Sequence, residues 1–326
     1  MIFFSIITPN YNSGSKLQRA IESLKSNVVS YEHIVIDDCS TDESFIKAKN
    51  IYSPENNIYF LKNDYNSGPG STRNKGLDVA KGKYVLFLDA DDYFTENALD
   101  ILHSSIISNN LPDILTFHYK MIRSLENSPH ISKCNINATA IENPIEDYLL
   151  DKIISAPWSK CIRSELTKST RFPNLEVGED AIYNLNIFIN AKSAFTLPCK
   201  LYVFDKTENN TLTRKAFSFA EFEKLQGSWV FFENEAREKV RSKEIDKLLS
   251  GRKIRFCVLY YINRLVITPD SNTNKAIIKS IKSTIVENIF SSRDSINYKV
   301  KTLCLLFLVS PTITLSLLKK FKPNGF

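Results

Sequence analysis

The sequence predicts an α/β fold, a Rossmann-like and mainly parallel sheet with helices on both faces, followed by a mostly helical C-terminal region. Three observations carry that expectation. Four short apolar runs, Phe3–Thr8, His33–Ile36, Ile58–Leu61 and Tyr84–Leu88, are rich in Ile, Val and aromatics, as strands buried on both faces are. Helical patterns separate them: Leu17, Ala20, Ile21 and Leu24 recur at helical spacing, as do Leu77 and Ala80, and Thr95-Glu96-Asn97-Ala98 opens a further helix with Thr95 as its expected cap. Strands alternating with helices in this way form parallel sheets. Leu115–Tyr119 and Ala194–Phe204 read as later strands, and after Phe217 strand-like runs stop. Ile254–Ile267 sets apolar residues at helical spacing around Arg255 and Arg264. The expected division is an α/β domain over residues 1–217 and a helical region over 218–326.

A length of 326 residues suits two such parts, since single cores stop growing near ~250–300 residues. With 43% hydrophobic and 24% charged residues the chain is of ordinary globular composition, and a net charge of +6 speaks against a nucleic-acid binder. The six cysteines lie far apart with no C-x-x-C pair, a poor disulfide or zinc framework. His33, His103, His118 and His130 show no ligand spacing. The N-terminus lacks a basic n-region and a cleavage site, so it reads as a first strand and the cytoplasm as the expected location. Thr302–Leu318 is uncharged and flanked by Lys299, Lys301, Lys319, Lys320 and Lys322. Diluted by Thr, Ser and Pro311, it reads as a buried or interfacial helix rather than a spanning one.

In open parallel sheets, ligands bind beyond the carboxyl ends of the strands. The first strand exits into Thr8-Pro9-Asn10-Tyr11-Asn12, the second into Asp37-Asp38-Cys39-Ser40-Thr41-Asp42, and the fourth into Asp89-Ala90-Asp91-Asp92. Five carboxylates, Asp37, Asp38, Asp89, Asp91 and Asp92, are thereby expected at one crevice. Asp89 and Asp91 so close together repel unless a cation neutralises them, and a divalent ion shared with substrate phosphates would do so. The other reading is a helix cap, for which Asp is equally suited.

Four of the nine glycines, Gly68, Gly70, Gly76 and Gly82, fall within fifteen residues. Asn66-Ser-Gly-Pro-Gly-Ser-Thr-Arg73-Asn-Lys75-Gly76 reads as a loop entering a helix, offering N–H groups and a guanidinium to an anion; a turn with a solvated basic pair is the alternative. It is neither a dinucleotide fingerprint nor a P-loop. Gly178-Glu179-Asp180 precedes an apolar helix, Ala181–Ile189. Its acids either complement that helix's dipole or supply a general base.

Taken together, Ser5-Ile-Ile-Thr-Pro9-Asn-Tyr11-Asn12, Ile36-Asp37-Asp38-Cys39-Ser40-Thr41-Asp42, Asn66-x-Gly68, Arg73-Asn-Lys-Gly76-Leu77, Leu88-Asp89-Ala90-Asp91-Asp92 and Gly178-Glu179-Asp180 resemble, in order and spacing, the family 2 glycosyltransferases of GT-A fold. The likeness covers about residues 1–205, with Trp158-Ser-Lys160 as a further shared element, and leaves the helical tail uncovered. It implies an inverting hexosyltransferase using a UDP-sugar. Pro9 and Tyr11 would frame the uracil end and Asp38 would bond base or ribose. Arg73 would lie beside the nucleotide or diphosphate, and Asp89 would hold ribose or metal. Asp91 would ligate Mn²⁺ or Mg²⁺. Asp180 would take the proton from the acceptor hydroxyl, with Glu179 as its substitute. Cys39 stands where the family usually has Gly, and Val203-Phe204-Asp205-Lys206 matches poorly a later aromatic-basic element.

The resemblance further implies a glycan or lipid-linked acceptor in bacterial surface polysaccharide synthesis (capsule or lipopolysaccharide). A nucleotidyltransferase making sugar nucleotides would want a basic, Gly-rich loop after the first strand, whereas Thr8–Ser15 holds one Gly and no Lys or Arg. A non-catalytic sugar-nucleotide or glycan-binding module is the third reading. Residues 241–326 carry 16 basic and five acidic side chains, so the charge excess sits on the tail. That points to an anionic membrane surface or a lipid diphosphate acceptor as a partner and to a peripheral place on the inner face of the cytoplasmic membrane; an ordinary helical lid packed on the catalytic domain is the other reading of the tail.

Overall fold

The computed structural model describes residues 1–24, 26, 29–123, 136–207, 218–267, 272–292 and 295–321. The boundary expected near Phe217, together with His130, Cys134 and Lys322, lies outside the described residues.

The opening strands form where the apolar runs occur: β1 (Phe4–Asn10), β2 (Tyr31–Asp37), β3 (Ile58–Lys62) and β4 (Tyr84–Phe87). They alternate with α1 (Lys16–Glu22), α2 (Ser44–Tyr52) and α3 (Gly68–Val79). β1 pairs in parallel with β2 and β4, and β2 with β3. Then follow β5 (Tyr93–Phe94), α4 (Ala98–Ser108), β6 (Ile114–Ile122), β7 (Thr139–Ala140), α5 (Pro144–Leu149), β8 (Lys160–Arg163), α6 (Ser164–Lys168), α7 (Glu179–Asn190) and β9 (Ala194–Asp205). One sheet contains them all, in the order β3-β2-β1-β4-β8-β6-β9-β5 with β7 on β9. β6 and β9 run parallel, whereas β8 is antiparallel to both β4 and β6. The sheet is thus mainly parallel but mixed. Its core is aliphatic and aromatic: Ile6, Ile7, Val35, Leu86 and Phe87 are fully buried.

Thr95 does not cap α4 as expected. Its hydroxyl donates to the Leu201 carbonyl, and the helix starts after Asn97, whose φ is 57°. The backbone of β9 captured the hydroxyl that the sequence assigned to the helix. Cys39, Cys161 and Cys304 are free, whereas Cys199 is disulfide-bonded, against the expectation from spacing.

The chain forms two compact units, residues 1–144 with 154–211 and residues 145–153 with 212–326. The second contains α8 (Phe219–Lys239), α9 (Ile245–Lys253), a π-helical stretch Ile254–Leu259, α10 (Tyr260–Ile267), α11 (Asn272–Asn288), α12 (Tyr298–Val309) and α13 (Pro311–Phe321). It is helical, as the loss of strand signal implies. The uncharged run 302–318 is broken at Ser310-Pro311 between α12 and α13. Among the described residues no helix is long and apolar enough to cross a membrane.

Candidate active site

The sheet register brings the motif residues together. Asn10 pairs with Asp37 across β1 and β2, and the Leu88 N–H donates to the Ile7 carbonyl at 3.0 Å, so β1, β2 and β4 end on the same side. The two exit loops of β1 and β2 are tied side by side. Asn12 Oδ1 accepts from the N–H groups of Thr41 (2.8 Å) and Asp42 (3.2 Å), and the Gly14 N–H donates to Asp42 Oδ2 at 2.9 Å. Tyr11 stands exposed on this platform and Pro9 is half-buried beside it.

Asp38 is buried and holds the loop before α3. Its Oδ1 accepts from Ser67 N–H (2.9 Å), Asn63 Nδ2 (2.8 Å) and the Ser67 hydroxyl (3.0 Å), and its Oδ2 from Gly68 N–H (2.8 Å). Burial works against its charge, but these donors outweigh it and hold the carboxyl below the usual range. Gly68 has φ +83°, a conformation that favours glycine. Cys39 takes φ 64° in the same site, a left-handed conformation that suits the glycine usual in the family and that a cysteine adopts only with strain.

Arg73, on α3, is the centre of the arrangement. Its guanidinium is buried, with Nη2 at 2.9 Å from Asp89 Oδ1 and Nη1 at 3.4 Å from Glu179 Oε1, and it lies over the Phe172 ring at 5.5 Å. One side chain therefore joins the β4 exit to the start of α7. Burial disfavours its charge, yet Asp89 and Glu179 raise its pKa further. Glu179 is itself pushed up to about 7, first by burial and then by Asp180, with Arg73 opposing. Asp180 is raised by burial, with Arg73 opposing, and its Oδ1 accepts the Ala181 N–H at 2.7 Å.

Not all five strand-exit acids reach the crevice. Asp37 is buried and accepts from Asn10 Nδ2 at 3.0 Å. Asp92 points into the sheet, accepting from the Tyr202 hydroxyl (2.7 Å) and the Asp205 N–H (2.8 Å). Burial, then the charges of Asp89 and Asp91, push it up to about 9. Both were drawn inward by partners the local sequence does not reveal. Asp89 and Asp91 remain at the mouth, with Asp91 raised by burial and by the charge of Asp89.

Four further residues build this site. The Tyr202 hydroxyl accepts the Asp89 N–H at 3.2 Å, and its ring stacks on Trp158 at 4.4 Å. Arg19 donates to the Asp91 carbonyl at 2.8 Å and pairs with Asp205 Oδ2 at 2.6 Å. Asp205, in the poorly matching element, is thus engaged by Arg19. Lys160 is completely buried, and its ammonium donates to the carbonyls of Ile154 (2.8 Å) and Ala156 (2.6 Å) and to Ser159 Oγ (3.1 Å). Its charge acts on Asp180. Its sequence signal was its place in the shared element Trp158-Ser-Lys160, which gave it no role.

A divalent cation can be tested against these donors. Among the described residues no group of three His, Cys, Asp or Glu is placed to hold one. The charge of Asp89 nevertheless raises Asp91, and magnesium-type ions are commonly held by one or two carboxylates plus substrate phosphates. The donor set fits an ion that shares its coordination with a diphosphate.

Residues 5–133 match the model of the family described as Glycosyl transferase family 2. The chain is 31% identical over 196 residues to a poly(ribitol-phosphate) beta-glucosyltransferase of Bacillus spizizenii, covering 58% of this chain and 30% of that protein. It is 29% identical over 211 residues to the poly(ribitol-phosphate) beta-N-acetylglucosaminyltransferase TarS of Staphylococcus aureus, covering 63% and 35%. Over 130 residues it is 32% identical to the Escherichia coli UDP-Glc:alpha-D-GlcNAc-diphosphoundecaprenol beta-1,3-glucosyltransferase WfgD, covering 40% and 49%. The chain spans about a third of the length of the first two relatives. The crystal structure of S. aureus TarS 1–349 in complex with UDP-GlcNAc superposes with a TM-score of 0.69 at 21% identity, covering 100% of this chain and 93% of that one. That likeness bears out the GT-A type fold.

Proposed function

We propose, on the premise that residues 5–133 form a family 2 glycosyltransferase domain, that the chain transfers a sugar from a UDP-sugar to a hydroxyl of a glycan acceptor with inversion. The observation that carries this reading is the single guanidinium of Arg73 between Asp89 and Glu179. It sets a leaving-group side and a proton-accepting side on opposite edges of one site.

Tyr11 and Pro9 frame the base, and Asp38 serves the nucleotide end by holding the Ser67–Gly68 turn. Asp91, with Asp89 beside it, would hold Mn²⁺ or Mg²⁺, which when bound would offset charge on the departing UDP. Arg73 adds fixed positive potential there and keeps Asp89 and Glu179 in place. Asp180 takes the proton of the acceptor hydroxyl while its oxygen bonds to the anomeric carbon and the bond from that carbon to UDP breaks. Glu179 is tied to Arg73 and Asp180 is not, which favours Asp180 as the base. Relatives named for glycans carried on undecaprenol diphosphate or for poly(ribitol-phosphate) suggest a lipid-linked or polyol-phosphate acceptor in bacterial surface polymer synthesis.

The test is transfer and donor hydrolysis over a panel of UDP-sugars, with and without Mn²⁺. Asp180→Asn is expected to lose roughly 100- to 10,000-fold in transfer while still binding UDP. Near-normal turnover in that variant removes Asp180 from the base role. Asp91→Asn is expected to lose the response to Mn²⁺.

A further inference from the structure

The second unit carries a surface that its own packing does not explain. From Leu303 to Val309 α12 is apolar on every side: Cys304 and Phe307 turn inward, while Leu305, Leu306 and Val309 face out, Val309 being 85% exposed. A helix apolar all round belongs in a core or against a membrane. α13 has its pattern inverted. Thr314 is buried at 5% exposure, whereas Ile313 and Leu317 are exposed. Lysines bracket this face, with Lys299 and Lys301 at the start of α12 and Lys319 and Lys320 at the end of α13. From Ser295 to Phe321 the sequence holds no Asp or Glu.

We propose that the outer face of α12 and α13 docks on an anionic lipid bilayer, with Leu305, Leu306, Val309, Ile313 and Leu317 at the acyl boundary and the lysines at the headgroups. Charge complementarity selects this occupant. A second copy of the same face would set lysine against lysine with no acid from either copy's segment to pair them. Spanning is excluded by length: α12 and α13 have 12 and 11 residues with a break between, where a crossing helix needs about 20. Shallow insertion suits both, because lysine stems lie along apolar surface with the ammonium in the headgroup layer.

The test is co-sedimentation of the full chain with vesicles of phosphatidylcholine alone and of phosphatidylcholine with phosphatidylglycerol. Binding is expected with the anionic vesicles and is expected to weaken as salt rises. Lys319→Gln with Lys320→Gln should reduce affinity about thirtyfold, at roughly a fivefold loss per lysine. Val309→Ser with Ile313→Ser should reduce it as well, and both double variants should keep the wild-type melting temperature and circular dichroism, since the four side chains are exposed. Failure to sediment with anionic vesicles at low salt, or equal binding by both double variants, overturns the proposal. A concentration-dependent dimer abolished by Val309→Ser with Ile313→Ser, in the absence of vesicle binding, overturns it in favour of a second copy. The readout uses no sugar transfer, so its failure leaves the enzymatic reading standing, and failure of that reading leaves this one standing.

Discussion

Lys160 is the residue where stability and chemistry meet. Its buried ammonium is neutralised by carbonyl dipoles of Ile154 and Ala156, and it lies close enough to Asp180 to favour that carboxylate's charge. Lys160→Met would remove the ammonium's bond to the Ile154 carbonyl and leave the Ala156 carbonyl with the Ser159 hydroxyl alone, at about 1.5–3 kcal/mol for a lost hydrogen bond to a charged group. It would also raise the pKa of Asp180. The expected result is a lower melting temperature together with an acid limb of the pH–rate profile moved to higher pH. A purely structural role would lower stability and leave the limb in place. Glu179 gives a second prediction. Its folded pKa of about 7 lies above the ordinary 4.5, so the folded state holds this proton more tightly than the unfolded chain. The stability this contributes is fully present below the unfolded value and is lost as pH rises through about 7. In Glu179→Gln that dependence disappears, so the melting temperatures measured at about pH 5.5 and about pH 8.5 should lie closer together than in the wild type. An unchanged difference would assign the wild-type slope to other groups.

The helix α3 owes its position to Gly76. A Cβ there would lie 2.5 Å from Ile7 Cγ2 and 3.0 Å from Ile36 Cδ1, so α3 rests directly on β1 and β2 and carries Arg73 to the mouth of the sheet. Gly76→Val is therefore expected to destabilise by about 1–3 kcal/mol or more through overpacking, read by denaturant unfolding. Its transfer rate should fall too, because lifting α3 moves Arg73 away from Asp89. How much of this was legible depended on where each element's information resides. β1, β2 and β4 were readable because buried parallel strands are unbroken apolar runs; β3, expected buried as well, is a half-exposed edge strand that its aliphatic and aromatic run still made legible. β8 begins with Lys160 and ends with Arg163, and it exists because β4 and β6 each lend it an antiparallel edge. No local pattern announces that. The same division runs through the site. Asp89, Asp91, Glu179 and Asp180 stand at element ends where sequence places them, whereas Asp37 and Asp92 turned inward to Asn10 and Tyr202. Arg19, Tyr202 and Asp205 entered the site through contacts spanning 72 residues or more.

At the scale of the whole molecule, the chain does not divide by a single cut. It leaves the sheet-bearing unit after Pro144, contributes Ile145–Ile153 to the helical unit, and returns at Ile154. Within the helical unit this excursion is held firmly. Tyr148 and Leu149 are fully buried, and Arg252 lies 4.4 Å over the Tyr148 ring and 4.9 Å over Phe232. Asp151 pairs with Arg252 at 2.8 Å and with Arg255 at 2.5 Å, and Arg255 also donates to the Leu149 carbonyl at 2.9 Å. Three and five residues beyond Asp151 come the carbonyls of Ile154 and Ala156 that bind the Lys160 ammonium, and the Ser155 carbonyl accepts at 2.5 Å from Asn184 Nδ2, on the same helix as Asp180. A fragment ending at residue 217 would keep Tyr148, Leu149 and Asp151 but lose Phe232, Arg252 and Arg255. Exposing two large side chains at about 1.5–3 kcal/mol each should lower its melting temperature by on the order of 10 °C relative to the full chain. The loss should extend to transfer, because the freed excursion is continuous with the strap that seats Lys160 and α7. If the fragment melts and turns over like the full chain, residues 145–153 play no part in holding the site.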